Sequence, residues 1–204
     1  MRVMRVRAAA LAILVGLVGL PEVAPFAPAR ADAAVSIAYS LERLVGDSAR
    51  VSVVRALERR SEWAVVGGSR RIVTYTRLRT LESVIGDGNG DVWVRTLGGV
   101  VERIGQQVSG EAAFELDQKS LVFLTRTVDG VWAVTGMGQG HFPVRAVKDG
   151  ERTIERLASS RDVGALVMRK AQRDVAHARL VGQALGEAIA LVRGAKREAD
   201  AAPR

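Results

Sequence analysis

Apolar and polar positions alternate in two short runs, Leu121–Thr127 and Val131–Thr135, which meet at Asp129-Gly130. A period of two is the mark of a half-buried strand. Asp-Gly between two such runs suits the tight turn of a β-hairpin, because both residues tolerate positive φ. The glycine run Gly136-Met137-Gly138-Gln139-Gly140 then stops the hairpin and lets backbone pass close to backbone. An extended pattern resumes over His141–Val147. The whole stretch reads as the closing seam of a small β-barrel.

Upstream, Ile37, Leu41, Leu44 and Val45 stand at helical spacing with Gly46 behind them. This predicts a short helix over Ser36–Asp47 that plugs one end of the barrel. Arg50–Arg59 alternates imperfectly, with Val51, Val53, Arg55 and Leu57 on one face and Ser52, Val54, Ala56 and Glu58 on the other. The polar face of that strand is expected to meet water. Gly67-Gly68-Ser69 turns the chain into Arg70–Val84, where Ile72, Thr74, Thr76 and Leu78 oppose Val73, Tyr75, Arg77 and Arg79. Val92–Leu97 is a further strand, and Val100–Val108, after Gly98-Gly99, is a strand or a wide loop over the barrel mouth. Glycine turns at this density without intervening helices favour a sandwich or barrel over a parallel sheet.

Beyond residue 158 the period lengthens. Val167, Ala171, Val175, Ala178, Val181, Leu185, Ile189 and Val192 form one stripe at spacings of three and four. Ser159 or Ser160 can cap a helix here, with Asp162 in a capping-box position behind Ser159. Gly194 is a plausible stop, leaving Lys196–Arg204 frayed. Small residues also recur at every fourth position, Ala178, Gly182, Gly186 and Ala190. Interior glycines cost roughly 1 kcal/mol each against alanine. Their use would be close approach to another backbone, either the barrel wall or a second copy of the helix. The fold class expected is mainly β with helical additions: a small OB-like β-barrel over 32–158, then a long C-terminal amphipathic helix and frayed tail over 159–204.

Composition adds a location. Residues 1–31 have the parts of a secretory signal peptide: Arg2, Arg5 and Arg7, the apolar run Ala8–Leu20, and a Pro-rich segment ending Ala29-Arg30-Ala31. That apolar run is too short for an ordinary transmembrane span. Removing Arg2, Arg5, Arg7, Arg30 and Glu22 with the leader leaves 26 basic against 21 acidic residues, a net +5. The expected protein is therefore exported, periplasmic or extracellular, without a transmembrane segment in its mature part. With no cysteine, it must hold together by its core alone.

Candidate chemistry is sparse. The two histidines, His141 and His177, lie in separate segments without metal-ligand spacing, and no thiol, G-x-S-x-G elbow or phosphate loop is present. Glu102, Glu111, Glu115 and Asp117 cluster in sequence, but a paired acid and base needs geometry that sequence does not supply. Asp87-Gly88-Asn89-Gly90-Asp91 resembles the start of a calcium loop, yet Gly98 stands where its bidentate glutamate belongs, which favours an ordinary hairpin loop. No metal or cofactor is expected. Trp93 and Trp132 read as core or rim packing rather than stacking platforms, and nucleic acid is not an expected partner. The candidate binding residues are Gly136, Gly138, Gln139 and His141 at the glycine-rich mouth, with Arg169 and Arg173 on the basic side of the helix.

The run from Ser40-Leu41-Glu42-Arg43-Leu44-Val45 through Arg50–Ala56, Tyr75–Ile85, Val92–Gly99 and Phe114–Leu124 to Gly136-Met137-Gly138-Gln139-Gly140-His141-Phe142 resembles a group of uncharacterised exported bacterial proteins. The resemblance covers most of 36–147, and Gly-Met-x-Gln-Gly-x-Phe is its most specific part. More distantly, the order of elements is similar to the netrin-like domains of tissue inhibitors of metalloproteinases, with Phe114 and Leu121–Leu124 matching the strand that closes those OB-type barrels. The resemblance implies a fold. It does not bring the inhibitory mechanism, which uses an N-terminal cysteine and disulfides that this chain lacks. The functional expectation is a non-catalytic exported module that binds another protein or an acidic surface polymer. The alternatives are an inhibitor that occludes a protease with its Gly98–Gly110 or Gly136–His141 loops, and an enzyme assembled from scattered carboxylates and His141.

Overall fold

The computed structural model describes residues 35–201 apart from 171 and 173; the signal-type leader and Arg173 lie outside the described residues. In chain order the elements begin with β1 (Val35–Ile37), α1 (Leu41–Gly46), β2 (Arg50–Val66), β3 (Ser69–Ile85) and β4 (Asp91–Leu97). A small hairpin follows, β5 (Gly99–Val101) and β6 (Ile104–Gln106), and then β7 (Lys119–Arg126) and β8 (Trp132–Val134). A 3-10 turn at Met137–Gly140 leads to β9 (His141–Asp149), β10 (Arg152–Leu157), β11 (Ala165–Val167), α2 (Ala176–Leu180) and α3 (Leu185–Ala201).

The sheet is built on one long hairpin. β2 and β3 have 17 residues each, and the chain reverses at Gly67-Gly68, whose φ angles of 59° and 76° are the left-handed pair that a tight hairpin turn requires. β4 pairs with Val73–Arg79 of β3, and β7 pairs with Arg50–Arg55 of β2, both antiparallel. β8 lies parallel to β4 and antiparallel to β7. The pairings β7-β2-β3-β4-β8 therefore return to β7 and close a ring of five strands. On its other side β7 continues the sheet through β9 to β10, giving seven strands in all.

The turn at Asp129-Gly130 differs from the expected two-residue form. Gly130 N–H donates to Thr127 O at 2.8 Å and Thr127 N–H to Val131 O at 2.9 Å, and only Gly130 has positive φ. This is a three-residue loop, a type I turn followed by a left-handed glycine.

Two apolar clusters flank the ring wall. Inside the ring, Val54, Ala56, Leu78, Val92, Val94, Val122, Leu124 and Val134 pack together, closed by Ala112 and Phe114. On the other side of β2 and β7, Val51, Val53, Leu121 and Phe123 meet Phe142, Val144 and the helices. Each large side chain so buried is worth roughly 1.5–3 kcal/mol. The start of β2 is thus buried on both faces, Ser52 included, where a water-facing side was expected. α1 belongs to the outer cluster through Leu41, Leu44 and Val45, not to the cluster inside the ring, where a plugging helix was expected. It is also shorter than Ser36–Asp47, because Ser40 Oγ caps it by accepting Arg43 N–H at 3.2 Å and Val35–Ile37 pairs parallel with β11.

The C-terminal half departs most from expectation. Instead of one helix from Ser159 there are β11, α2 and α3, with a break at 181–184 where Gly182 has φ 86°. Gly182 N–H donates to Leu157 O at 2.8 Å and Leu157 N–H to Gln183 O at 3.0 Å. The end of β10 thus takes the backbone bonds that a continuous helix would have kept. α3 buries Ala188, Ile189, Val192 and Ala195. The small-residue stripe faces elsewhere: Gly186 and Ala190 are exposed, and a Cβ added at Gly182 or Gly186 would meet nothing within 4 Å. Gly194 lies inside α3, which continues over Lys196 to Ala201. Among the described residues no helix is long and apolar enough to cross a membrane.

Candidate functional site

The glycine-rich segment turns inward. Gln139 is buried, and its amide imitates a strand: Oε1 accepts Tyr39 N–H at 2.9 Å while Nε2 donates to Ile37 O at 3.1 Å. Gly138 N–H donates to Gly110 O at 2.8 Å, and a Cβ on Gly140 would stand 2.2 Å from Thr135 O. Backbone does pass close to backbone here, as the glycines suggested. Gly136 sits against the Tyr39 ring, where a Cβ would come within 2.9 Å. Gly136 and Gln139 thus clasp the segment that enters α1, while Gly138 holds the chain at Gly110.

His141 is 1% exposed, with Nδ1 3.0 Å from Ser160 Oγ, Nε2 3.1 Å from Ser120 Oγ and the Phe114 ring 4.5 Å away. Burial lowers its pKa to about 3, so the ring is neutral. His177 meets the preceding serine, its Nε2 2.8 Å from Ser159 Oγ. Adjacent serines thereby hold two histidines that sequence placed in unrelated segments. Of the clustered carboxylates, Glu115 is bound to Arg161. Arg169 is exposed two residues beyond β11, and the structure does not bring it to the glycine segment's buried groups.

The calcium-like loop is filled from within. Arg50, itself buried, donates to Gly88 O at 2.6 Å and to the Thr80 hydroxyl, while Asp91 faces Arg77 at 3.7 Å and Arg79 at 3.4 Å. The Arg50 guanidinium packs under the loop at Gly88, where a Cβ would come within 2.2 Å of it. Among the described residues no group of three or more His, Asp or Glu is placed to hold a metal ion.

Two open features remain, one on each side of the β2–β3–β4 wall. On the outer side, strand register sets two rows across three strands: Arg60–Tyr75–Arg95 and Glu58–Arg77–Trp93. Cross-strand neighbours of this kind are close enough to interact directly. The Arg60 guanidinium lies 5.8 Å from the Tyr75 ring centre and 5.2 Å from that of Trp93, within cation–π range. Arg95 is held by both oxygens of Asp129 on the β7–β8 turn, at 2.6 and 3.2 Å. Those hydrogen bonds raise the arginine's pKa and lower the carboxylate's to about 2. Trp93 is 38% exposed, on the outer face of the sheet and not in the core. Trp132 is half-buried against the ring interior with Arg126 over it at 4.1 Å.

On the inner side a cleft of about 480 Å³ runs under the β5–β6 flap, lined by Arg59, Thr74, Thr76, Thr96, Gln107 and Glu111 among others. Gln106 of β6 ties the flap to β3, its Oε1 accepting Ile72 N–H at 2.8 Å, and Glu111 at the cleft wall accepts Leu97 N–H at 3.1 Å and Ala112 N–H at 3.0 Å. Burial raises the pKa of Glu111. Sequence spacing alone missed both features, because each row and each cleft wall is drawn from three or more segments whose register the sequence leaves open. The alternation of Tyr75 with Arg77 and of Trp93 with Arg95 was the one signal present.

Comparison of the chain with protein-family models, with curated proteins and with solved structures found no match.

Proposed function

We propose that this protein is an exported, non-catalytic binding module whose ring of five strands is a small OB-like barrel, and that it recognises an acidic surface polymer on the outer face of β3 and β4. The ring's pairing order and its parallel β4–β8 contact support the barrel reading, because OB folds are small Greek-key barrels that bind polymers on a strand face and its flanking loops. The observation that carries the function is the pair of cross-strand rows in which arginines alternate with Tyr75 and Trp93 on an open sheet. Aromatic faces stack on flat ring surfaces, and the Arg60 guanidinium, in no ion pair among the described residues, can take a carboxylate or phosphate in a forked geometry, whereas Arg77 is paired with Glu58 and Asp91 and Arg95 with Asp129. Together they fit a chain of anionic rings lying across the strands.

The test is a titration of the purified protein with polygalacturonate, with neutral dextran as comparator, followed by tryptophan fluorescence. Saturable binding to the uronate polymer that weakens with salt is expected, and Trp93→Ala should reduce affinity roughly tenfold, as loss of one stacking contact of about 1–3 kcal/mol implies. Equal response to dextran, or binding indifferent to Trp93→Ala, would overturn the assignment. Tighter binding of a single-stranded oligonucleotide would replace the polymer with nucleic acid.

Occlusion of a protease has one supporting observation. Val100 and Ile104 of the β5–β6 flap are 64% and 54% exposed, whereas the other loop considered for that role, Gly136–His141, is largely interior. Unchanged cleavage by proteases of several classes in the presence of excess protein would remove it.

A further inference from the structure

β2 outruns its neighbours on one side. β7 pairs with it only over Arg50–Arg55, and Ala56 makes the last bonds there, donating to Gln118 O and accepting from Asp117 N–H. From Glu58 to Val66 the strand is paired with β3 on one edge, and among the described residues its other edge makes no backbone hydrogen bond. The three register shifts of β2 all fall at or before Glu58, so the free edge is regular. It contains no proline, glycine or lysine, so its guard against indiscriminate pairing is the charge of Glu58, Arg59, Arg60 and Glu62, which a partner has to match. Val65 is 74% exposed on it, and Trp63 is exposed as well. A regular bare edge of this length is a template for another strand.

We propose that the occupant is the same edge of a second copy, paired antiparallel about a two-fold axis at Ser61. Charge decides the register. With a dyad perpendicular to the sheet each side chain faces one on the same side of the sheet, and centring on Ser61 sets Arg60 opposite the second copy's Glu62, and Glu62 opposite its Arg60. On the inner side the same register sets Arg59 opposite Trp63 twice. Centring on Arg59, Arg60 or Glu62 would put that residue against itself, like charge on like charge. Centring on Trp63 or Ala64 forms no charge pair. Opposite-charge cross-strand pairs stabilise and like-charge pairs destabilise. Arg59, Arg60 and Glu62 enter no ion pair within the chain among the described residues. They are thus available to a partner. Trp63 already carries Arg70 over one face of its ring at 4.7 Å and has a second face to offer. The pairing would join the two β2–β3 arms into one continuous sheet, with the Tyr75–Trp93 face of each copy on the same side.

Sedimentation velocity of the purified protein over a wide concentration range reads the mass directly, and a reversible dimer is expected. Arg60→Glu and Glu62→Arg should each raise the dissociation constant roughly tenfold or more, since either puts like charges opposite each other at two places. An equimolar mixture of the two variants should recover the dimer, because one copy then presents two carboxylates to two guanidiniums of the other. Ser61→Cys, in a chain without other cysteines, should form a disulfide dimer on mild oxidation, because directly opposed strand residues have Cα atoms about 4.5–5.5 Å apart, within disulfide range. Ala64→Cys should not. A protein monomeric at every concentration, a mixture that fails to recover, or a Ser61→Cys variant that is folded by circular dichroism but does not cross-link would overturn the proposal.

Discussion

His141 shows how a residue that reads as candidate chemistry becomes structure. Serine hydroxyls meet both ring nitrogens, and burial drops its pKa to about 3. In the unfolded chain a histidine protonates near about 6.5, whereas in the folded chain this one stays neutral far below that. Stability is therefore fully present above about pH 6.5 and falls as pH drops, by about 1.4 kcal/mol per pH unit. His177, lowered by burial in the same direction, adds to the slope. Urea unfolding at pH 7.0 and 5.5 should differ by about 1–2 kcal/mol. In His141→Gln, less stable at both values, the difference should shrink to what His177 contributes. An undiminished slope would sink this reading. Gln139 belongs at the same scale. Gln139→Ala removes two bonds from the Ile37–Tyr39 backbone and should cost about 2–3 kcal/mol, with faster amide exchange at Tyr39. Gln139→Glu should not restore stability, because a carboxylate oxygen would then face Ile37 O.

The elements show where local pattern and tertiary bonding compete. The flap formed by β5 and β6 is anchored to β3 by Gln106, whose Oε1 accepts Ile72 N–H. Gln106→Ala should speed amide hydrogen exchange across β5 and β6 while leaving β2 and β7 protected, and uniform loosening of the sheet would contradict that. At the break before α3, Gly182 holds φ 86° in open space. A side chain there meets backbone strain and no clash. Gly182→Ala should therefore cost about 1 kcal/mol, read as a modest fall in thermal midpoint. If Gly182→Ala instead stabilised the protein, the helix would have been continuous in solution.

Across the whole molecule, what sequence alone determined is what depends on neighbours a few residues apart. Asp129-Gly130 marked a hairpin and Gly67-Gly68 turned the long one, because glycine alone enters the left-handed region freely. The β-rich alternation of Arg70–Val84 and Val92–Leu97 marked strands where β3 and β4 lie. The crowding at Gly138 and Gly140 was also legible from the glycines themselves. The stripe from Val167 to Val192 misled, since its spacing fits a helix but cannot reveal that Leu157 claims the bonds of Gly182 and Gln183. Tertiary structure alone decided that His141 and Gln139 point inward, that Arg50 fills the acidic loop, and that Tyr75, Arg95, Trp93 and Arg60 share one open face. The physical reason is register: a shift of one residue in strand pairing moves every side chain to the opposite side of a sheet, and pairing is settled by burial on both sides of β2, which no single segment encodes.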